Sequence, residues 1–270
     1  MKQFLLTAAI LLLLSSISPA SANKVAIQYD FDAVSPFYGD TAIVVQNKQG
    51  IPHVGLINKA GEFILPPQKQ TDITAFHEGL APIRIDQHWG MINTQGQMII
   101  PALYKKLGPF NDGLAAALEN DKWGYINTEG NWSISPRFDK AESFSEGKAA
   151  VKQYGSWGFI DTQGKWVVQT QFRESKPYSE GFAAVKTKDG WGYLDAKGQM
   201  HITPQFETVF SFSEQLALVS SNAKWWFISS DGHPISDTKY DRAMPFSEAK
   251  AVIMLDGKYG YIDKQGKTII

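Results

Sequence analysis

Between residues 149 and 172 apolar and polar positions fall into short runs parted by turn-forming residues. Ala149-Ala150-Val151-Lys152 leads into a turn over 153–156 that contains Gly155. Trp157-Gly158-Phe159-Ile160-Asp161 leads into a second turn, Asp161-Thr162-Gln163-Gly164, and Trp166-Val167-Val168 follows. Runs this short, rich in aromatic and β-branched side chains, have strand length rather than helix length. In the second turn Asp161 can accept from its own backbone and Gly164 tolerates a positive φ. The pattern predicts three short strands per unit, with room for one helical turn before each Phe-x-Glu.

The same pattern recurs along nearly the whole chain. Trp-Gly stands at Trp89-Gly90, Trp123-Gly124, Trp157-Gly158 and Trp191-Gly192, and its column continues at Trp225-Trp226 and Tyr259-Gly260, each step being 34 residues. Val54-Gly55 lies one step upstream, at 35 residues. An aromatic column keeps the same phase at Phe76, Phe110, Phe144, Tyr178, Phe212 and Phe246. Two residues later comes an acid, Glu78, Asp112, Glu146, Glu180, Glu214 or Glu248, and three beyond it an alanine, from Ala81 to Ala251. A glycine column runs from Gly61 to Gly266, and a further aromatic column holds Tyr104, Phe138, Phe172, Phe206 and Tyr240. Several columns in phase define about seven repeats.

A unit of this size cannot bury its own apolar faces, so neighbours must stack. The expected fold is all-β: one repeat domain over residues 23–270 of β-meander or hairpin units. The Trp and Phe columns read as the core between repeats. The glycine after Trp reads as a site of close approach by a neighbouring strand. The acid column reads as turn caps accepting backbone N–H groups; the competing reading, a ladder of cation sites, needs several oxygen ligands around one ion. The expected architecture is an open solenoid-like array, with a closed seven-bladed, propeller-like ring as the alternative. Residues 27–37 resemble the tail of a repeat, with Phe31-Asp32 matching Phe138-Asp139, which favours the ring; the short unit favours the array.

These units resemble the WG-repeat family, a bacterial tandem repeat. The match rests on Trp123-Gly124-Tyr125-Ile126-Asn127 with Gly130, on Trp157-Gly158-Phe159-Ile160-Asp161 with Gly164, and on the Phe-Ser-Glu-Gly of residues 144–147, and it spans about residues 37–270. The resemblance implies a β-rich interaction module with no family-wide catalytic residues. The first repeat departs from the pattern at Val54, and the sixth departs at Gln215, Trp226 and Ser229 together.

Composition narrows the partners. With 26 basic and 27 acidic residues and no basic run, the chain does not suit nucleic acid, which needs clustered Lys and Arg. Cysteine is absent, so neither disulfides nor thiolate chemistry is available. Lys2, the apolar residues 4–14 and the small-x-small Ala20-Ser21-Ala22 read as a signal peptide over residues 1–22, with the mature chain starting at Asn23. The apolar run is shorter than the roughly 20 residues of a membrane span. The chain is therefore expected to be exported, periplasmic or extracellular, without a membrane span after cleavage, and monomeric.

No catalytic motif stands out. His53, His77, His88, His201 and His233 occupy different repeat positions and form no metal-binding spacing. No Gly-x-Ser-x-Gly elbow and no phosphate-binding Gly-rich loop are present. No enzyme activity, cofactor or metal is expected. The binding candidates are the tryptophans outside the repeat pattern. Trp132 and Trp166 are one repeat apart and form either a core stripe with Ile134 and Val168 or an exposed aromatic strip. Trp226 stands where the other six repeats have Gly, and joins Trp225 and Phe227 in an aromatic cluster. It is either a space filler or a binding anchor. The expected function is a protein-interaction scaffold, with a carbohydrate or cell-wall binding module as the alternative.

Overall fold

The computed structural model describes residues 31–69 and 71–270. The signal segment 1–22 and the first part of the repeat tail, 27–30, lie outside the described residues. The described residues form seven short antiparallel sheets in tandem, in each of which the strands pair in sequence order. Contacts gather into two compact units, one ending at Pro136 and the other beginning at Arg137.

Five sheets have four strands, one more than the three expected. The fourth sheet shows the plan: Lys140–Ala141, Lys148–Gln153, Ser156–Asp161 and Trp166–Phe172. The extra strand comes from the polar, Pro-bearing segment after the Phe172 column, which opens the next sheet as Glu174–Ser179. Among the described residues no helical turn precedes Phe-x-Glu. Ser145 and Lys148 bridge instead, and Glu146 and Gly147 between them both take positive φ, at 54° and 72°. Two successive positive φ values make a tight hairpin turn matched to strand twist and rule out a helix.

The second hairpin turn behaves as the sequence suggests. Asp161 Oδ1 accepts from the Gln163 and Lys165 N–H groups at 3.0 and 2.8 Å, and Gly164 sits at φ 75°. Asp195 and Asp263 repeat the arrangement.

The deep core lies two residues beyond the Trp column. Leu56, Met91, Tyr125, Phe159 and Tyr193 are fully buried and Phe227 is 1% exposed, whereas Trp89, Trp123 and Trp157 are only half-buried. In the second unit these side chains meet the aromatic column of the following sheet edge to face: Phe159 on Tyr178 at 5.1 Å, Tyr193 on Phe212 at 4.9 Å and Phe227 on Phe246 at 4.7 Å. The alanine column is buried throughout, which lets the sheets approach.

The acid column caps turns, but those of the following repeat. Gly113 N–H donates to Glu78 Oε2 at 3.1 Å in the first unit. In the second, Gly181 N–H donates to Glu146 at 2.9 Å, Glu214 and Gln215 N–H to Glu180 at 2.7 and 2.6 Å, and Ala249 N–H to Glu214 at 3.0 Å. In the second unit a serine precedes the acid and adds a second link, Ser145 Oγ donating to Tyr178 O and Ser179 Oγ to Phe212 O. The first repeat has Gly39 at the acid position, and there the Tyr38 hydroxyl accepts from Gly79 N–H at 3.1 Å.

Candidate functional site

The glycine of Trp-Gly sits under a bulge in the fourth strand. Trp157 pairs with Phe172 and Phe159 with Val168, so two residues on one strand face four on the other. A Cβ on Gly158 would lie 2.5 Å from the Val168 carbonyl oxygen. A Cβ on Gly55, Gly90, Gly124 or Gly192 would meet the equivalent carbonyl of its own sheet at 2.4–2.5 Å. The close approach expected of this column is therefore made by backbone.

Trp226 escapes that constraint because the sixth sheet has three strands. Its fourth strand shrinks to isolated bridges, Ile228 with Pro234 and Trp225 with Tyr240. The space so freed takes the indole, which packs edge-on against Phe206 of the fifth sheet at 5.9 Å, with Lys239 Nζ 4.4 Å above the ring.

Trp132 and Trp166 make the same contact from another strand. Trp132 sits edge-on to Tyr104 at 5.9 Å and Trp166 edge-on to Phe138 at 6.0 Å. Tyr104, Phe138 and Phe206 belong to one column. At the position of Trp132 and Trp166 the sixth repeat has Pro234, which cannot supply the ring, and Trp226 supplies it instead. These three tryptophans are half-buried and stand on different sheets.

Trp225 differs. Successive strand residues face opposite ways, and Trp225 packs beside the core formed by Tyr240, Phe246 and Ile253. It also lines an apolar cleft of about 340 Å³ with Arg242, Met244, Met254 and Tyr259. Met244 is 61% exposed and Tyr259 67%. Sequence reasoning missed these four partners of Trp225; the available signal was Tyr259, the residue that replaces Trp in the seventh repeat.

A larger cleft of about 580 Å³ lies in the first unit. Tyr38, Asp40, Asn58, Thr94 and Gln95 line it. Tyr38 stacks on Phe76 at 5.7 Å, and Thr41 Oγ donates to the Thr94 carbonyl at 2.8 Å. This cleft too went unseen in the sequence, because its residues come from four turns remote along the chain.

Electrostatics here serve the scaffold. Glu214 is held below the usual carboxylate range by Lys264, whose Nζ is 3.0 Å away, and by the Ala249 N–H. Burial pushes the Tyr193 phenol far up, and burial with the nearby Asp195 and Glu146 does the same to Tyr178. Both phenols therefore stay protonated and donate to carbonyls, Tyr193 to Phe210 O at 2.7 Å and Tyr178 to Asp195 O at 3.0 Å. Among the described residues no group of three or more His, Asp and Glu is placed to hold a metal ion, and no helix is long and apolar enough to cross a membrane.

No curated protein matches the chain in sequence. Among solved structures, Kluyveromyces lactis Hsv2 is similar at 12% identity and a TM-score of 0.49, over 85% of this chain and 92% of that one. The AfRom2 CNH domain is similar at 10% identity and a TM-score of 0.38, over 88% of this chain and 93% of that one. The WG containing repeat matches in eight segments, at residues 21–49, 55–87, 89–123, 123–156, 157–190, 191–225, 227–259 and 259–270. With its columns accounted for by sheet stacking and its matches covering most of its length, the chain belongs to the family of WG containing repeat proteins.

Proposed function

We propose that this protein is an exported, non-enzymatic scaffold that holds a partner protein at the cleft walled by Trp225, Met244, Met254 and Tyr259. The supporting observation is that Trp225 opens onto a cleft, while the other three tryptophan candidates pack edge-on against the aromatic column of the sheet before. Two methionines give the cleft adaptable walls, and Tyr259 and Arg242 give it a polar rim, the makeup of a protein-recognition patch. Export rests on the residues of the 1–22 segment, with the periplasm or the exterior as destination.

A photo-crosslinking residue at Tyr259 in the native host tests the reading. One defined protein should be captured, and Met244→Glu, a change at an exposed position, should abolish the crosslink. Capture no different from a crosslinker placed on the remote Lys59 would refute it. N-terminal sequencing of the mature protein should begin at Asn23.

A second reading, binding of a carbohydrate or cell-wall glycan, is favoured by the larger cleft. Its Tyr38 ring and its Asp40, Asn58 and Gln95 side chains offer stacking together with polar contacts, the pairing that sugar rings use. Cosedimentation with purified cell-wall glycan, reduced by Asp40→Ala and Gln95→Ala but not by Met244→Glu, would favour it over the first.

A further inference from the structure

Gly39 is the break in the acid column, and the larger cleft opens beside it. Elsewhere Glu78, Glu146, Glu180 and Glu214 each accept from turn amides of the next hairpin. The hairpin that follows Gly39 is His77-Glu78-Gly79-Leu80, and its two central amides belong to Glu78 and Gly79. Gly79 N–H donates to the Tyr38 hydroxyl at 3.1 Å. Among the described residues Glu78 N–H has no acceptor, and neither has the proton of the Tyr38 hydroxyl, which accepts in its one bond. The Glu78 carboxylate is engaged at Gly113 N–H and does not serve its own turn.

There is room here for an acid. A Cβ on Gly39 would meet nothing within 4 Å. The cleft of about 580 Å³ is walled by Gly39, Gly79 and Tyr38 together. Two donors without acceptors thus lie where the rest of the column places a carboxylate, and a buried or half-buried donor gains most from a charged acceptor.

We propose that this cleft binds an acidic sugar, a hexuronate, whose carboxylate takes the part of the absent side chain and accepts from Glu78 N–H and the Tyr38 hydroxyl. The proposal rests on the glycan reading of the same cleft and names the class of sugar. The remaining lining suits a sugar better than the carboxylate end of a peptide. Asp40, Asn58, Thr94 and Gln95 offer partners to ring hydroxyls, and Ile64 is the one aliphatic side chain among the lining residues. Acidic neighbours do not prevent carboxylate binding in this column, since Glu180 caps a turn that itself carries Glu214.

Amide NMR of the mature chain titrated with trigalacturonate tests this. The Glu78 and Gly79 resonances should shift, and that of Gly113, already capped by Glu78, should stay in place. The trimethyl ester keeps the rings and loses the charge, and should bind roughly tenfold more weakly or worse, as loss of charge-assisted hydrogen bonds does. Gly39→Glu supplies the carboxylate from within the chain, at a φ of 61° close to the 50–54° of the other column acids. That variant should lose trigalacturonate binding while melting at or above the wild-type temperature. Gly39→Ala leaves the space open and should bind as the wild type does. Equal binding of acid and ester, unaffected by Gly39→Glu, would overturn the carboxylate assignment and leave the glycan reading standing. Binding of neither would also overturn it, and cosedimentation with cell-wall glycan then decides the broader reading by itself. Tighter binding of a tripeptide with a free C-terminus at the same amides would overturn the assignment to a sugar.

Discussion

Replacing Gly158 with alanine probes a column that stays glycine wherever the fourth strand is present. The added Cβ would lie 2.5 Å from the Val168 oxygen, 2.8 Å from the Thr170 nitrogen and 2.9 Å from the Gln169 carbonyl carbon. All three are backbone atoms, so no rotamer change relieves the clash. Ordinary contact begins near 3.4 Å, and the fourth strand must therefore retreat by about 0.9 Å. That retreat strains the pairing of Phe159 with Val168. Overpacking of this kind costs about 1–3 kcal/mol, and one weakened ladder bond adds about 1 kcal/mol. Lower entropy of the unfolded chain returns about 0.4–1 kcal/mol. The net expectation is a loss of about 2 kcal/mol, or a fall in melting temperature of roughly 4–8 °C for a chain of this size. Gly108→Ala is the control: its Cβ would meet only Ala116, at 3.7 and 3.9 Å, and its φ lies outside the left-handed region. That variant should be neutral or slightly stabilised. Thermal melts and urea midpoints of the two variants, run side by side with m-values compared, decide the matter. If Gly158→Ala melts within 1 °C of Gly108→Ala, the argument from backbone approach is wrong.

Trp226→Gly, which restores the repeat pattern, should destabilise the protein by about 2 kcal/mol, since the sixth sheet lacks the strand that would fill the void; a urea midpoint at or above wild type would contradict this. Glu180→Ala should speed hydrogen exchange at the Glu214 and Gln215 amides by roughly tenfold, and unchanged protection there would remove the capping role. Tyr193→Phe leaves the Phe210 carbonyl without its donor and should cost about 1–2 kcal/mol in urea unfolding. Glu214 has a lowered folded pKa, so the stability it adds is present above the unfolded carboxylate value of about 4.3 and is lost as pH falls through the folded one. The difference in urea midpoint between wild type and Glu214→Gln should hold steady from pH 7 to 5 and shrink below about pH 4.

The repeat, the strand content and the Asp161 turn were legible because each depends on residues that recur unchanged or on local geometry. The deepest core column was not, because its chemistry varies: Leu56, Met91, Tyr125 and Phe159 share burial but no side-chain type. The extra strand at Glu174–Ser179 was hidden by its polar residues and Pro177, which suit a short outer strand but do not signal one. The acid column showed its phase without showing its reach, since nothing in Phe144-Ser145-Glu146-Gly147 reveals that the carboxylate serves Gly181 rather than its own turn. At the binding candidates, the sequence marked Trp226 as an exception; only the shortened sixth sheet explains why that exception is packing.

The capping of each turn by the repeat before it has a consequence for how the chain assembles. Synthesis proceeds from the N-terminus, so the Glu146 carboxylate exists before Gly181, which lies 35 residues downstream, has been made. Each new hairpin emerges to find its acceptor already placed, and the growing end is always the one that lacks a successor. Order of synthesis and direction of capping run the same way, so the chain can complete one repeat at a time without waiting for its far end.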